Sequence, residues 1–184
     1  YGEGGNHLLH TFRRNPDITS LVHNNQVYAL TKGQASPTTE FGTKTKLQFT
    51  GVKEEPLNPL ALAITMNCSF VARGFTGDLD FLTELIIAGI KHPGFALIDI
   101  LQPCITFGTH QTGWFKERVY RLPADYNPRD KAAALTKSGE WGDKIPTGIF
   151  YLNERPVFPE QKINLTLAVE INQPVLAQLA NMFR

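Results

Sequence analysis

The chain has 184 residues, 42% hydrophobic and 19% charged, the composition of one folded domain with a core, which excludes a disordered chain. Eighteen basic residues against seventeen acidic ones leave a net charge of +1, so no basic field calls for nucleic acid or an anionic membrane. Two cysteines, Cys68 and Cys104, exclude a disulfide-rich scaffold, and no apolar run reaches the roughly 20 residues of a membrane span.

The chain opens on Tyr1-Gly2-Glu3-Gly4-Gly5 with no charged-then-apolar leader. A removed leader and an internal piece of a longer chain are both open at this point. His7 to Arg14 reads as a short helix stopped by Asn15-Pro16. Ile18 to Val22 is an apolar run between turn residues, a candidate buried strand. A polar stretch rich in Gly and Thr runs from Asn24 to about Glu55; loops this long are usually functional or disordered.

Asn58 to Met66 reads as a second helix, with Asn58 as cap and Pro59 in its first turn. Ser69 to Ala72 follows as a strand. Asp78 to Lys91 is the clearest helix: Leu79, Leu82, Leu85, Ile86 and Ile90 recur at three- and four-residue steps, and His92-Pro93-Gly94 ends it. Phe95 to Leu101 is nearly all apolar, as in a strand buried on both faces. Further on, Trp114 to Arg121 is aromatic and basic, Asp130 to Lys137 suits a short helix, and Ile149 to Leu152 suits a strand. Val175 to Phe183 suits an amphipathic terminal helix after Pro174.

The order predicts an α/β fold: a mostly parallel sheet with helices on both faces. In such sheets ligands sit beyond the carboxyl ends of the strands. The loops Asn24–Gln34 and Gln102–Thr109 follow the first and last strands of this unit, so both fall on that edge.

Asn24-Asn25-Gln26-Val27-Tyr28 is dense in amide and carbonyl oxygens. It reads either as an Asn-rich turn or as a set of hard ligands for Mg²⁺ shared with a diphosphate. Gly2, Gly4 and Gly5 before a helix could cradle phosphate through backbone N–H groups. His7 and His10 share a helical face, but no third ligand follows at zinc spacing. Cys68 and Cys104 each read first as a buried thiol. The sequons at Asn67 and Asn164 carry no weight without a secretory context. There is no Gly-x-Ser-x-Gly elbow and no Walker loop.

Taken together, Gly4-Gly5-Asn6-His7-Leu8-Leu9-His10, Arg13-Arg14-Asn15, Asp17-Ile18, Asn24-Asn25-Gln26-Val27-Tyr28, Leu30-Thr31-Lys32-Gly33-Gln34 and Ser36-Pro37-Thr38 form a specific pattern. It resembles the thiamine-diphosphate-binding β subunit of 2-oxoacid:ferredoxin oxidoreductases. Phe70-Val71-Ala72-Arg73 and Gln102-Pro103-Cys104 are further landmarks in the expected order. The resemblance is strong from Gly2 to Thr109 and weak beyond. It implies that residues 1–109 are the C-terminal part of a thiamine-diphosphate-binding domain, and that residues 110–184 are an arm wrapping the domain or a partner subunit. The family's motif is Gly-Asp-Gly followed by Asn-Asn; only Asn-Asn is here. The expectation is a fragment that begins just after Gly-Asp-Gly, missing also the family's three upstream cysteines.

By this resemblance Asn25 supplies a side-chain ligand to Mg²⁺, and Val27 a backbone carbonyl. Gly4, Gly5, His7, Tyr28 and Thr31 line the cofactor, Leu30 and Lys32 face its reactive end and the 2-oxoacid, and Cys104 is one ligand of a [4Fe–4S] cluster. Such a cluster needs further cysteines, absent here. The family has Gly where this chain has Ala29; a positive φ there would strain Ala. The implied reaction is oxidative decarboxylation of a 2-oxoacid, such as pyruvate or 2-oxoglutarate. Its products are acyl-coenzyme A and CO₂, with electrons passing through the cluster to ferredoxin in the cytoplasm. The implied partners are the α subunit, which supplies the activating glutamate, and ferredoxin, with no nucleic acid and no membrane. No complete catalytic set is expected in this chain, and the fragment alone is expected to be inactive. Two other readings stay open, a non-oxidative thiamine-diphosphate decarboxylase or synthase and a non-catalytic relic of the fold.

Overall fold

The computed structural model describes residues 1–158. The terminal helix expected at Val175–Phe183 and the sequon at Asn164 lie outside the described residues. The elements run α1 (Gly5–Arg14), β1 (Thr19–Asn24), β2 (Val27–Tyr28), β3 (Gln34–Ala35), α2 (Pro59–Thr65), β4 (Phe70–Phe75), α3 (Leu79–Lys91), β5 (Ala96–Leu101), α4 (Thr112–Arg118), β6 (Val119–Arg121), α5 (Lys131–Ser138) and β7 (Ile145–Leu152).

Local chemistry sets the helix ends where the sequence puts them. Asn58 accepts a hydrogen bond from the Ala61 N–H at 3.0 Å, with Pro59 in the first turn of α2. Asp78 caps α3 through Phe81 N–H, and Asp130 caps α5 through the N–H groups of Ala132 and Ala133. Asn15 closes α1 in the left-handed conformation, at φ 54°.

Five strands form one sheet in the order β1-β5-β4-β7-β6. β1 and β4 flank β5 in parallel, β7 runs antiparallel to β4, and β6 is parallel to β7. Alternate side chains point to opposite faces. One face carries Val71 and Leu97 against Phe12 of α1, Leu60 and Ile64 of α2 and Ala134 of α5. The other carries Phe70, Ala72, Ile98 and Ile100 against Leu82 and Leu85 of α3. Each such buried apolar side chain contributes about 1.5–3 kcal/mol. Gly89 lets α3 lie close on the sheet, because a Cβ there would reach 2.9 Å from Ile98 Cδ1. Residues 110–158 supply α4, β6, α5 and β7, so β7 enters the sheet beside β4.

Several segments differ from their expected reading. The first strand, expected buried at Ile18–Val22, is β1 at Thr19–Asn24; it ends the strand order of the sheet among the described residues, so only one neighbour covers it and Leu21 stays exposed. β4 runs on to Phe75 because Arg73, which ends the apolar run, finds a buried partner on β5. Trp114–Arg121 divides into α4 and β6, and β7 begins at Ile145, four residues before Ile149. The polar stretch after Asn24 holds a short hairpin, β2 with β3, and is pinned by Gly42 N–H to Val52 O at 2.8 Å and Leu57 N–H to Pro37 O at 2.8 Å.

Candidate functional site

The three parallel strands end at Asn24, Leu101 and Phe75, on one edge of the sheet. The loops that leave this edge are tied together: Gln102 N–H donates to Asn24 O at 3.0 Å. Both loops expected at a binding edge are therefore there.

The loop after β1 is held by its own amides. Asn25 Oδ1 accepts the Val27 N–H at 3.1 Å, and Asn24 Oδ1 accepts the Gln26 N–H at 3.3 Å. These are consecutive Asx turns, with Gln26 left-handed at φ 57°. The far side is held by Thr39 Oγ1 donating to Gln26 O at 2.6 Å and Gln26 Nε2 donating to Thr38 O at 3.1 Å. Val27 is buried, Asn25 half-buried. The turn thus holds an amide oxygen and a backbone carbonyl, both hard donors, two residues apart at a strand end. Gly2 passes directly beside this loop; a Cβ there would fall 2.1 Å from the Tyr28 hydroxyl. The residues present fit part of an oxygen shell for Mg²⁺ and a diphosphate crossing a glycine-lined edge. Among the described residues no three His, Cys, Asp or Glu side chains group as a metal site.

Beneath the loop lies a network that sequence reasoning missed. Asp99 of β5 is fully buried. Its Oδ1 accepts from Asn24 Nδ2 at 3.1 Å and from the Tyr1 hydroxyl at 2.8 Å, and its Oδ2 from Arg73 Nε at 3.2 Å. Burial and the Asp99 carboxylate push the Tyr1 phenol well above its ordinary value, so it stays a donor. The Arg73 guanidinium lies over the Trp141 and Phe150 rings, 5.4 and 5.7 Å from their centres, and its Nη1 has no partner among the described residues. It borders a cavity of about 230 Å³ with Asn24, Thr38, Glu40, Asn58 and Trp141. Glu40 accepts from Trp141 Nε1 at 2.7 Å and lies 3.0 Å from His110 Nε2, which stacks on Trp114. The signal was present: one acid and one base, each interrupting an otherwise apolar buried strand.

The hairpin loop between β2 and β3 carries Leu30, Thr31 and Lys32, all exposed, Leu30 at 98%. Thr31 bonds Tyr28 O and the Gln34 side chain. Lys32 is left-handed at φ 75°, whereas Ala29 is not, so Ala fits where Gly was expected. Lys32 borders a second cavity, of about 360 Å³, with Gly33, Lys44, Lys46 and Phe107. Cys104 is half-buried in the loop after β5, and its Sγ accepts the Phe107 N–H at 3.4 Å. Cys68 is fully buried, bonds Phe70 O, and burial pushes its thiol up to about 12; it is a core residue. Gly4 and Gly5 face open space, and Gly4 and His7 line a separate groove with Leu8, Ile18 and Val22.

Residues 1–100 match the family described as thiamine pyrophosphate enzyme, C-terminal TPP binding domain. Residues 104–166 match the family described as the C-terminal part of the pyruvate ferredoxin oxidoreductase beta subunit. The chain is 45% identical over 174 residues to a 2-oxoacid:ferredoxin oxidoreductase subunit beta of Saccharolobus solfataricus, covering 88% of this chain and 57% of the relative. It is 41% identical over 190 residues to subunit beta of 2-oxoacid:ferredoxin oxidoreductase 1 of Aeropyrum pernix, covering 96% and 60%. The chain thus spans little more than half the length of these relatives. A solved 2-oxoglutarate:ferredoxin oxidoreductase from Magnetococcus marinus, with 2-oxoglutarate, coenzyme A and succinyl-CoA bound, superposes with a TM-score of 0.82 at 31% identity. That match covers 91% of this chain and 58% of that one. The chain belongs to the thiamine pyrophosphate enzymes, among the β subunits of the 2-oxoacid:ferredoxin oxidoreductases.

Proposed function

We propose that this chain provides the metal-and-diphosphate side of a thiamine-diphosphate site in a 2-oxoacid:ferredoxin oxidoreductase. Asn25 would offer its amide oxygen and Val27 its carbonyl to Mg²⁺, and the diphosphate would pass at Gly2, beside Tyr28. When bound, the cofactor supplies an electron sink for loss of CO₂ from a 2-oxoacid. The exposed Lys32 ammonium is a compact cation suited to hold the substrate carboxylate. Leu30 and Thr31 stand beside it. Cys104 would be one thiolate of a [4Fe–4S] cluster that carries electrons to ferredoxin, with coenzyme A taking the acyl group. The remaining ligands and the activating carboxylate would come from outside residues 1–158, the latter from an α subunit. The free thiols Cys68 and Cys104 suit a reducing cytoplasm, and no described helix is long and apolar enough to cross a membrane.

The observation that carries this reading is a contact: Gly33, beside Lys32, packs on Phe107, three residues past Cys104. It brings the loop of Lys32 and the loop of Cys104 side by side, near Gln26 and Val27, as a substrate cation close to a cluster would need. The solved relative with 2-oxoglutarate and coenzyme A bound supports the same substrate class.

The test is viologen reduction by the full-length chain with its partner subunits under nitrogen, with and without coenzyme A. Pyruvate and 2-oxoglutarate are run side by side. Coenzyme A-dependent reduction is expected. Protein that carries iron and cofactor yet reduces no dye with any 2-oxoacid would overturn the reading in favour of a non-oxidative thiamine-diphosphate enzyme.

A further inference from the structure

We infer that Asp99 is the positioning residue of the metal loop: from the fully buried centre of β5 it fixes Asn24, and through Asn24 the turn that presents Asn25 and Val27. The inference rests on the reading of that turn as a Mg²⁺ site. Its basis is a chain of short bonds. Asp99 Oδ1 takes Asn24 Nδ2 at 3.1 Å, which settles the orientation of the Asn24 amide. Asn24 Oδ1 is then turned to the Thr38 hydroxyl at 2.7 Å and to the Gln26 N–H at 3.3 Å. Gln26 lies between Asn25 and Val27, and is itself clasped by Thr38 and Thr39.

The same carboxylate oxygen holds the Tyr1 hydroxyl, so the segment that runs past Tyr28 is anchored at the same atom. Arg73 Nε meets the other carboxylate oxygen at 3.2 Å inside the sheet, and an ion paired in low dielectric is far less costly than a lone one. A buried anion is an expensive way to hold a strand together, since apolar residues would serve the packing equally well. What an anion adds is direction: two donors drawn to one oxygen, aiming both segments of the site. Outer residues that orient metal ligands change affinity by about 10–100-fold when altered.

The experiment uses the full-length chain with its partner subunits, freed of cofactor. Mn²⁺, an oxygen-seeking stand-in for Mg²⁺, is titrated at fixed thiamine diphosphate, and free Mn²⁺ is read by electron paramagnetic resonance. Asp99→Asn is expected to weaken Mn²⁺ binding by about 10–100-fold, and Thr38→Val, which leaves the ion pair intact, by several-fold in the same direction. Cys68→Ser, which disturbs the core away from the loop, is expected to bind Mn²⁺ as wild type does. If Asp99→Asn does not assemble, Thr38→Val decides the matter alone. Wild-type Mn²⁺ affinity in both loop variants, with binding lost in Asn25→Ala, would leave Asp99 a structural residue and overturn the inference. Wild-type affinity in Asn25→Ala would remove the underlying reading itself.

Discussion

Gly33 and Phe107 are in close contact: a Cβ on Gly33 would lie 3.0 Å from the Phe107 ring, which would have to shift by a few tenths of an ångström to admit it. The backbone there is left-handed as well, at φ 98°. The loop bearing Lys32 and the loop bearing Cys104 are therefore locked at one point, although three strands and two helices separate them along the chain.

Gly33→Ala meets both obstacles. The substitution is expected to destabilise the full-length chain by about 1–3 kcal/mol in denaturant unfolding, from backbone strain alone and more from the clash. Adding Phe107→Ala should recover only the steric part, since φ is unchanged. Wild-type stability in Gly33→Ala would show that the two loops move apart freely.

The Arg73–Asp99 pair predicts an unequal series. Arg73→Met alone leaves a buried carboxylate without its cation and is expected to cost about 3–5 kcal/mol. The double variant Arg73→Met with Asp99→Leu should cost clearly less, because no unpaired charge remains. Equal losses in the single and double variants, measured by chemical denaturation, would mean the pair is not desolvated as the structure shows.

Cys104→Ser is expected to lower the iron content of the intact subunit, read by colorimetric iron assay and the cluster's visible absorption. Cys68→Ser should leave iron unchanged and instead cost about 1–3 kcal/mol of stability, for a hydroxyl placed among Leu97, Phe150 and Ile64. A full cluster in Cys104→Ser would return that thiol to the role of a simple loop residue.

His92 predicts a pH dependence. It ends α3, its Nε2 is buried without a partner among the described residues, and it lies against the Phe70 ring at 5.4 Å. Burial lowers its protonation range, with Asp17 opposing only in part. The unfolded chain then takes up a proton before the folded one does as pH falls. Stability from this group is present above the ordinary histidine value near 6.5 and declines as pH drops through it, until the folded form is protonated too. His92→Phe should flatten the change in unfolding midpoint between about pH 7.5 and 5.5 relative to wild type. An unaltered slope would exclude His92 as its source.

Most helices and strands were legible along the chain, since caps such as Asn58, Asp78 and Asp130 act on N–H groups two or three residues away. The turn at Asn24–Val27 was legible for the same reason: an amide side chain reaches its own backbone two residues on. Arg73 was harder. A base after Phe70-Val71-Ala72 reads as the end of a strand, and it stays inside only because Asp99, far along the chain, waits in register on the neighbouring strand. Asn15 shows the same limit. It reads as a helix stop, yet its buried side chain also takes the Ser69 hydroxyl at 2.7 Å and the Phe95 N–H at 2.9 Å.

Composition, periodicity and local capping thus determined the α/β class, most element positions and the oxygen-rich turn, because those depend on forces acting within one turn or one strand. Strand order and register decided the rest: which charges pair in the core, which cysteine stays half-buried, and which two loops touch. Those outcomes depend on where distant segments come to lie, and the pairing of whole strands, not neighbouring residues, sets that.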